Sequence, residues 1–398
     1  MRAVARGHKP DYTLLVIVAG LLSVGLVVVY SVSPGMSALS GISETYYISK
    51  QLLSIALGVI AFFALYKLPY RNLTKFILPL VVLSILATIA VQIFGQEING
   101  AQRWIQIGSI SFQPAEMVKF TLLIWLADLL ARQKRDGKLA NFDKTLKPIL
   151  IAMAAVAIGL GILQSDFGST VVIVSMIASM MFVSGVPFMR LLKIGMVVLV
   201  GMAILIIPSS YRRGRVATFL NPTADCQNAG YQSCQALIAV GSGGLFGLGL
   251  AGSVQAYGYL PEAANDSIFA IVAEKFGFVG VSIIIAMFAT LFVRLTRITE
   301  KAPDEFSRLI VTGTLAWFSV QAIINIGAML GLLPLKGITL PFISYGGTSL
   351  LFVMGTLGLI FQISKYRTLA GKIRVNNEDN AYRRGQRRPH YSTVSRRV

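Results

Sequence analysis

Apolar residues gather into ten stretches along this chain, near 13–31, 48–66, 74–94, 116–131, 148–163, 168–186, 191–208, 268–292, 309–332 and 347–364. A helix needs about 20 apolar residues to cross the hydrocarbon core of a bilayer. The pattern therefore predicts an all-α, polytopic membrane protein with ten transmembrane helices. The polar intervals are uneven. Those at 32–47 and 95–115 are moderate, whereas 209–267, rich in Gly, Tyr and Gln, is predicted to form a large extracytoplasmic loop between spans seven and eight. Long ordered loops tend to carry function. From Tyr366 onward hydrophobicity falls and Arg pairs recur at 383–384, 387–388 and 396–397, the composition of a disordered tail able to rest on anionic lipid. The expected organisation is one membrane domain, 1–365, and a basic cytoplasmic tail, 366–398. Neither a tandem repeat nor the inverted repeats of many transporters is visible.

Composition agrees: 55% of residues are hydrophobic, 13% are charged and the mean hydropathy is +0.70. The net charge of +19 would suggest nucleic acid on a soluble protein, but here it has another explanation. With the N-terminus inside and loops assigned alternately, only eight of the 36 Lys and Arg fall outside or at outer helix ends: Lys50, Arg103, Lys119, Arg212, Arg213, Arg215, Lys275 and Lys336. Cytoplasmic loops concentrate Lys and Arg, so the charge predicts both termini inside a cytoplasmic membrane and no nucleic-acid partner. Arg2, Arg6 and Lys9 precede the first stretch as in a signal peptide, but nine further spans argue for a retained helix. The two histidines, His8 and His390, lie in the tails. That excludes Ser-His-Asp chemistry and His-ligated metals, leaving carboxylates or lysines for proton transfer.

Charged groups at a membrane boundary are costly and mark function. Glu262, Asp266 and Glu274 lie where the long polar interval runs into the apolar stretch from 268, in the segment Tyr257-Gly-Tyr-Leu-Pro-Glu-Ala-Ala-Asn-Asp-Ser-Ile-Phe-Ala. This segment resembles the LPEA-x-x-D-x-IFA signature of the SEDS family (shape, elongation, division, sporulation), polytopic cell-wall polymerases. Phe219-Leu-Asn-Pro222, Gly230-Tyr-Gln-Ser and the glycine-rich run 239–249 keep the same order. The resemblance implies that Asp266 is catalytic and that Glu262 contacts substrate. The chain departs from the family at Asn265 and Ser267, where His-Thr-Asp-Phe is common, and at Lys275, where a second Glu is common. From the residues alone, without the surrounding motif, Asp266 reads rather as a helix N-cap. Gly247-Leu-Gly-Leu-Ala-Gly252 matches a dinucleotide fingerprint, but outside a βαβ unit the match carries nothing.

Three other segments resemble the family. Arg103-Trp104 with Gln113-Pro-Ala-Glu116-Met-Val-Lys119 puts Glu116 and Lys119 three apart, on one face of a helix opened by Pro114; an ion pair or a polar cavity would both use them. Gln164-Ser-Asp166 stands at the turn between spans five and six, with Ser165 for the usual proline. Lys336-Gly-Ile-Thr-Leu-Pro341-Phe-Ile-Ser344-Tyr345-Gly-Gly, with Asn325, is similar to the division-type rather than the elongation-type branch. The substrate-binding candidates are accordingly Glu262, Arg103, Glu116, Lys119, Asp166, Arg212, Arg215, Lys336, Ser344 and Tyr345.

The resemblance implies a peptidoglycan glycosyltransferase that polymerises lipid II, a disaccharide-pentapeptide on undecaprenyl diphosphate, during septal wall synthesis. It also implies a class B penicillin-binding protein and other divisome proteins as partners. The leaving diphosphate asks for positive charge, from Arg212, Arg213, Arg215 or Lys119, or from a divalent cation (Mg2+ or Mn2+). Elongation-type polymerase, lipid II flippase and non-catalytic scaffold stay open as alternatives. One-sided polarity favours an enzyme over a flippase. The two cysteines, Cys226 and Cys234, lie in the long outer interval, where a disulfide would persist.

Overall fold

The structure, a computed structural model, describes residues 6–7, 9–98, 101–108, 110–206, 214, 218–221, 225–228, 230–335 and 337–367. Helices lie at all of the predicted apolar stretches: α1 (Tyr12–Ser40), α2 (Tyr46–Lys67), α3 (Ile77–Phe94), α4 (Pro114–Arg135), α5 (Lys147–Val156), α6 (Phe167–Ser184), α7 (Phe188–Ile206), α9 (Ile268–Lys301), α10 (Glu305–Met329) and α11 (Gly347–Ile363). Another, α8 (Tyr231–Ser242), lies within the long polar interval. Among the described residues seven helical segments are long and apolar enough to cross a membrane. Of the remainder, α4 carries Glu116, Lys119 and Asp128, and α11 is only 17 residues long. Helix starts follow local chemistry. Asp11 caps α1, Asp166 caps α6, and Asp304 with Ser307 forms a capping box on α10.

Two features were not legible in the apolar pattern. The interval 95–115 folds as an antiparallel meander of β2 (Gln96–Ile98), β3 (Ala101–Ile107) and β4 (Ile110–Phe112). At the other end of the bundle, β1 (Arg6–Gly7) pairs antiparallel with β5 (Tyr366–Arg367), in register Arg6 to Arg367. The first and last described segments thus meet.

Close helix packing rests on small residues, as expected where lipid supplies no hydrophobic drive between helices. The α2–α11 pair closes at Gly358, where a Cβ would stand 2.2 Å from the Phe62 carbonyl oxygen. On the other flank Gly313 of α10 admits Leu123 of α4 and Met180 of α6.

The second half of the 209–267 interval is not an excursion away from the bundle. Gln232, at the start of α8, donates to Ser267 Oγ (3.1 Å), and Gly243 at its end lies against Ala273. α8 therefore runs alongside the first turns of α9. There α9 is broken at Gly277, whose φ of 63° and ψ of −166° are open only to glycine. The glycine-rich run fills the break. Leu248 and Gly249 N–H donate to the Glu274 and Lys275 carbonyls, while Phe278 and Val279 N–H donate to Gly244 and Leu245. Four backbone groups around the break, the Glu274 and Lys275 carbonyls and the Phe278 and Val279 N–H groups, thereby gain partners, as non-helical backbone at membrane depth requires. The G-x-G-x-x-G match is thus a helix plug. The chain then returns along α9 and α1, with Tyr257 against Gly35, to the turn before Asp266. A second inward loop, 337–346, places Ile343 against Gly25 in the middle of α1. Because α11 begins from that loop, it is short.

Candidate functional site

Three backbone turns meet where these inward segments converge, and each holds a non-glycine residue in the left-handed region: Ser165 (φ 51°), Glu262 (φ 53°) and Phe342 (φ 67°). Among the described residues no other non-glycine residue adopts positive φ. Such conformations cost about 1–3 kcal/mol each and concentrate at functional sites. They flank Asp166, Asp266 and Ser344.

Asp266 lies two residues before α9. The N-cap position is Ser267, one residue further on, which weighs against a capping role for Asp266. Its turn is fixed by backbone: the Glu262 carbonyl accepts from Asn265 N–H (3.0 Å) and Ser267 N–H (3.1 Å). Asn325 of α10 then ties this turn to the 337–346 loop, donating through Nδ2 to the Asp266 and Ile338 carbonyls, both at 2.7 Å. Ser344 Oγ donates to the Asn265 carbonyl (2.6 Å), and Tyr345 N–H to the Ala264 carbonyl (2.8 Å). Ser344 and Tyr345 therefore hold the turn that presents Asp266. Burial, with Tyr46 and Tyr47 close by, pushes the Tyr345 phenol up to about 12.

Arg103 reaches the same place from the sheet. Its Nε and Nη2 donate to the carbonyls of Gln164 (2.9 Å) and Ser165 (2.8 Å), a planar fork used on two backbone acceptors. Its remaining nitrogen faces exposed Gly337. A methyl group on Gly337 would lie 3.4 Å from Asp266 Oδ2 and 3.6 Å from Arg103 Nη1. Carboxylate and guanidinium thus border one gap, floored by a residue without a side chain. The gap thus sets an acid–base group beside an anion-binding group.

Asp166 is buried and caps α6 through Oδ1, accepting from Ser169 N–H (2.9 Å), with the Gln113 amide 3.5 Å from Oδ2. Its carboxylate shapes the Gln164–Asp166 turn that Arg103 grips. Glu116 and Lys119 form an ion pair at 2.7 Å, with the lysine 5.4 Å from the centre of the Trp317 ring and both residues buried. They stand one layer behind: Trp317 Nε1 donates to Gln321, whose amide donates to the Thr339 carbonyl. Glu274 does not join Asp266. It is buried, accepting from Ser253 Oγ and from Val254 and Gln255 N–H, while Lys275 donates to the Leu250 carbonyl (2.7 Å). Both fasten the plug to α9. Cys226 and Cys234 are joined by a disulfide. Arg212, Arg213, Arg215 and Lys336 lie outside the described residues.

The polar stripe that carries this network was readable. Trp317, Gln321 and Asn325 recur every four residues on one face of α10. As ligands they attract little notice, because amides carry no charge.

The comparisons agree with this architecture. The sequence model described as "Cell cycle protein", for FtsW, RodA and SpoVE, matches residues 12–369. A "Probable peptidoglycan glycosyltransferase FtsW" of Saccharophagus degradans is 38% identical over 362 residues, 90% of this chain and 93% of that protein. Stage V sporulation protein E of Bacillus subtilis is 35% identical, covering 90% of this chain and 98% of its own length. A chain of a solved peptidoglycan synthase complex superposes with a TM-score of 0.74 at 28% identity, over 89% of this chain and 97% of that one. Rod shape determining protein RodA of Thermus thermophilus gives 0.66 at 28% identity, over 89% and 96%. With the profile spanning the whole described bundle, the chain belongs to the FtsW/RodA/SpoVE family of cell cycle proteins.

Proposed function

We propose that this multi-pass protein of the cytoplasmic membrane is a peptidoglycan glycosyltransferase that polymerises lipid II at the outer face during septal wall synthesis. The observation that carries the reading is the gap over Gly337, bordered by Asp266 Oδ2 and Arg103 Nη1. In the reaction the acceptor sugar's 4-hydroxyl oxygen bonds to the donor's anomeric carbon. The carbon–oxygen bond to the lipid diphosphate breaks, and the diphosphate departs with that electron pair. A sugar hydroxyl is a poor nucleophile at neutral pH, so Asp266 accepts its proton. Arg103, with one nitrogen still facing the gap, is placed to stabilise the departing anion. Arg212, Arg215 and Lys336 are further cations for the same task, and Glu262 contacts the substrate beside Asp266.

Among the described residues no three of Asp, Glu, His and Cys gather into a metal-holding group. A resident metal site is therefore not supported by the residues described. Mg2+ or Mn2+ would arrive on the substrate's diphosphate, with one or two carboxylates at most; no step here is routed through it. A class B penicillin-binding protein is the expected partner, since a related chain was solved in a peptidoglycan synthase complex. Both termini are assigned to the cytoplasm. The β1–β5 pairing supports a common side, and the Lys and Arg distribution supports the inside.

Asp266→Asn tests the reading. Polymerisation of labelled lipid II, with and without the transpeptidase partner, should fall by about a hundredfold or more. Membrane insertion and thermal stability should be retained. Glycan chains of normal length from that variant would remove Asp266 from the mechanism.

A further inference from the structure

Beside the turn that presents Asp266 lies an open groove of about 180 Å³, between the outer parts of α1 and α2 and the returning segment 256–263. Its lining includes Met36, Tyr47, Leu260, Pro261 and Glu262, and neither Asp266 nor Arg103. Glu262 is the only ionisable carboxylate in that lining, and no cation accompanies it. It is held there at cost, in a left-handed conformation that glutamate rarely adopts. Its carbonyl anchors the Asn265 and Ser267 N–H groups, and one carboxylate oxygen accepts from the Asn265 amide. Tyr47 packs edge-on against Tyr345 (5.7 Å) and Tyr46 (5.4 Å). Outside that lining, the Lys50 ammonium sits 5.2 Å from the centre of the Tyr46 ring.

A carboxylate beside a tyrosine ring and apolar walls favours a cation on an apolar stem. An anion would meet Glu262 directly, and a sugar would find few donors among Met, Leu and Pro. A primary ammonium on an aliphatic stem satisfies all three wall types, through a charge-assisted hydrogen bond, a cation–π contact and apolar burial. We propose that this groove binds an ammonium group on the substrate's peptide, the side-chain amine of a diamino acid, and so helps select substrate. This rests on the glycosyltransferase reading above. Because Glu262 and Asp266 share one turn, a peptide seated in the groove positions the attached sugar toward the gap over Gly337.

The test compares lipid II carrying a free peptide amine with lipid II acetylated at that amine. The full chain is reconstituted with its partner in vesicles of phosphatidylglycerol and cardiolipin, so that no phosphatidylethanolamine headgroup competes. For the wild type, acetylation should raise KM about tenfold, the scale of one desolvated ammonium contact, with kcat nearly unchanged. Glu262→Gln keeps the Asn265 contact and should give equal KM for both substrates; Tyr47→Leu should narrow the difference. Equal KM values in the wild type, or full discrimination retained by Glu262→Gln, would overturn the proposal. Binding of the two lipid II forms to Asp266→Asn is measured in parallel. A preference for the free amine there upholds the groove even if turnover fails, and equal binding rejects it whatever the turnover.

Discussion

Gly337 owes its importance to what it lacks. The nearest atoms to a Cβ there would be Asp266 Oδ2 and Arg103 Nη1, at ordinary contact distance, so alanine fits without clash and simply occupies the gap. Gly337→Ala should therefore leave thermal stability unchanged while lowering lipid II turnover. Gly337→Leu, which fills the gap and displaces both flanking groups, should lower turnover by roughly a hundredfold, the scale of a misplacement of about an ångström. Equal activity in all three proteins would show that the reaction takes place elsewhere. Most residues around the gap were legible because charge at a membrane boundary is conspicuous. What each does was less legible. Ser344 and Tyr345, read as substrate contacts, spend hydrogen bonds on the Asp266 turn, and Asp166 spends one on a helix cap. A sequence shows that a polar group is present, but the partner that consumes it comes from a distant segment.

For elements, the apolar pattern locates the helices well and misjudges what lies between them. The long interval before α9 looks like solvent-facing loop because glycines dilute its hydrophobicity, yet its glycines are what allow it to enter the break at Gly277. A Cβ on Gly247 would sit 2.2 Å from the Lys275 carbonyl oxygen, and one on Gly277 would sit 2.3 Å from Gly247 N. Both residues also have positive φ. Gly247→Ala and Gly277→Ala should each destabilise the purified protein by more than the ~1 kcal/mol of a simple helical glycine effect, read as a lower unfolding temperature in detergent. Gly195 of α7 has nothing within 4 Å, so Gly195→Ala serves as the unhindered comparison and should raise the unfolding temperature, helix propensity contributing up to about 1 kcal/mol. The strands around Arg103 escaped the pattern for a different reason. Two of the three contain only three residues, too few for an alternation to register.

Across the whole molecule, the polar site and the opposite end of the bundle are secured differently. At the opposite end Asp304 caps α10 while accepting from Tyr70 Oη (2.8 Å) and Arg71 Nη2 (3.1 Å). Burial alone would raise its carboxyl, but hydrogen bonds from Ser307, Tyr70 and Arg71 outweigh that and hold it below the ordinary value. A depressed carboxylate contributes stability above its unfolded pKa of about 3.9, and that contribution is lost as pH falls through the lower folded value. The wild type should therefore lose unfolding temperature below about pH 4 more steeply than Asp304→Asn. Parallel curves for the two would show that Asp304 does not carry this dependence.

Because Arg6 pairs with Arg367 and Gly7 with Tyr366, the described part of the chain is nearly a ring. The order in which its helices are translated is then separable from the order in which they pack. A gene permuted to begin at Gly137, in the turn after α4, would carry residues 368–398 and 1–5 as its internal joint. Such a rearranged protein should insert and make glycan at a rate near that of the parent, since no contact around Gly337 depends on where synthesis starts. Loss of insertion, with each helix still present, would mean that assembly in the membrane must begin from α1.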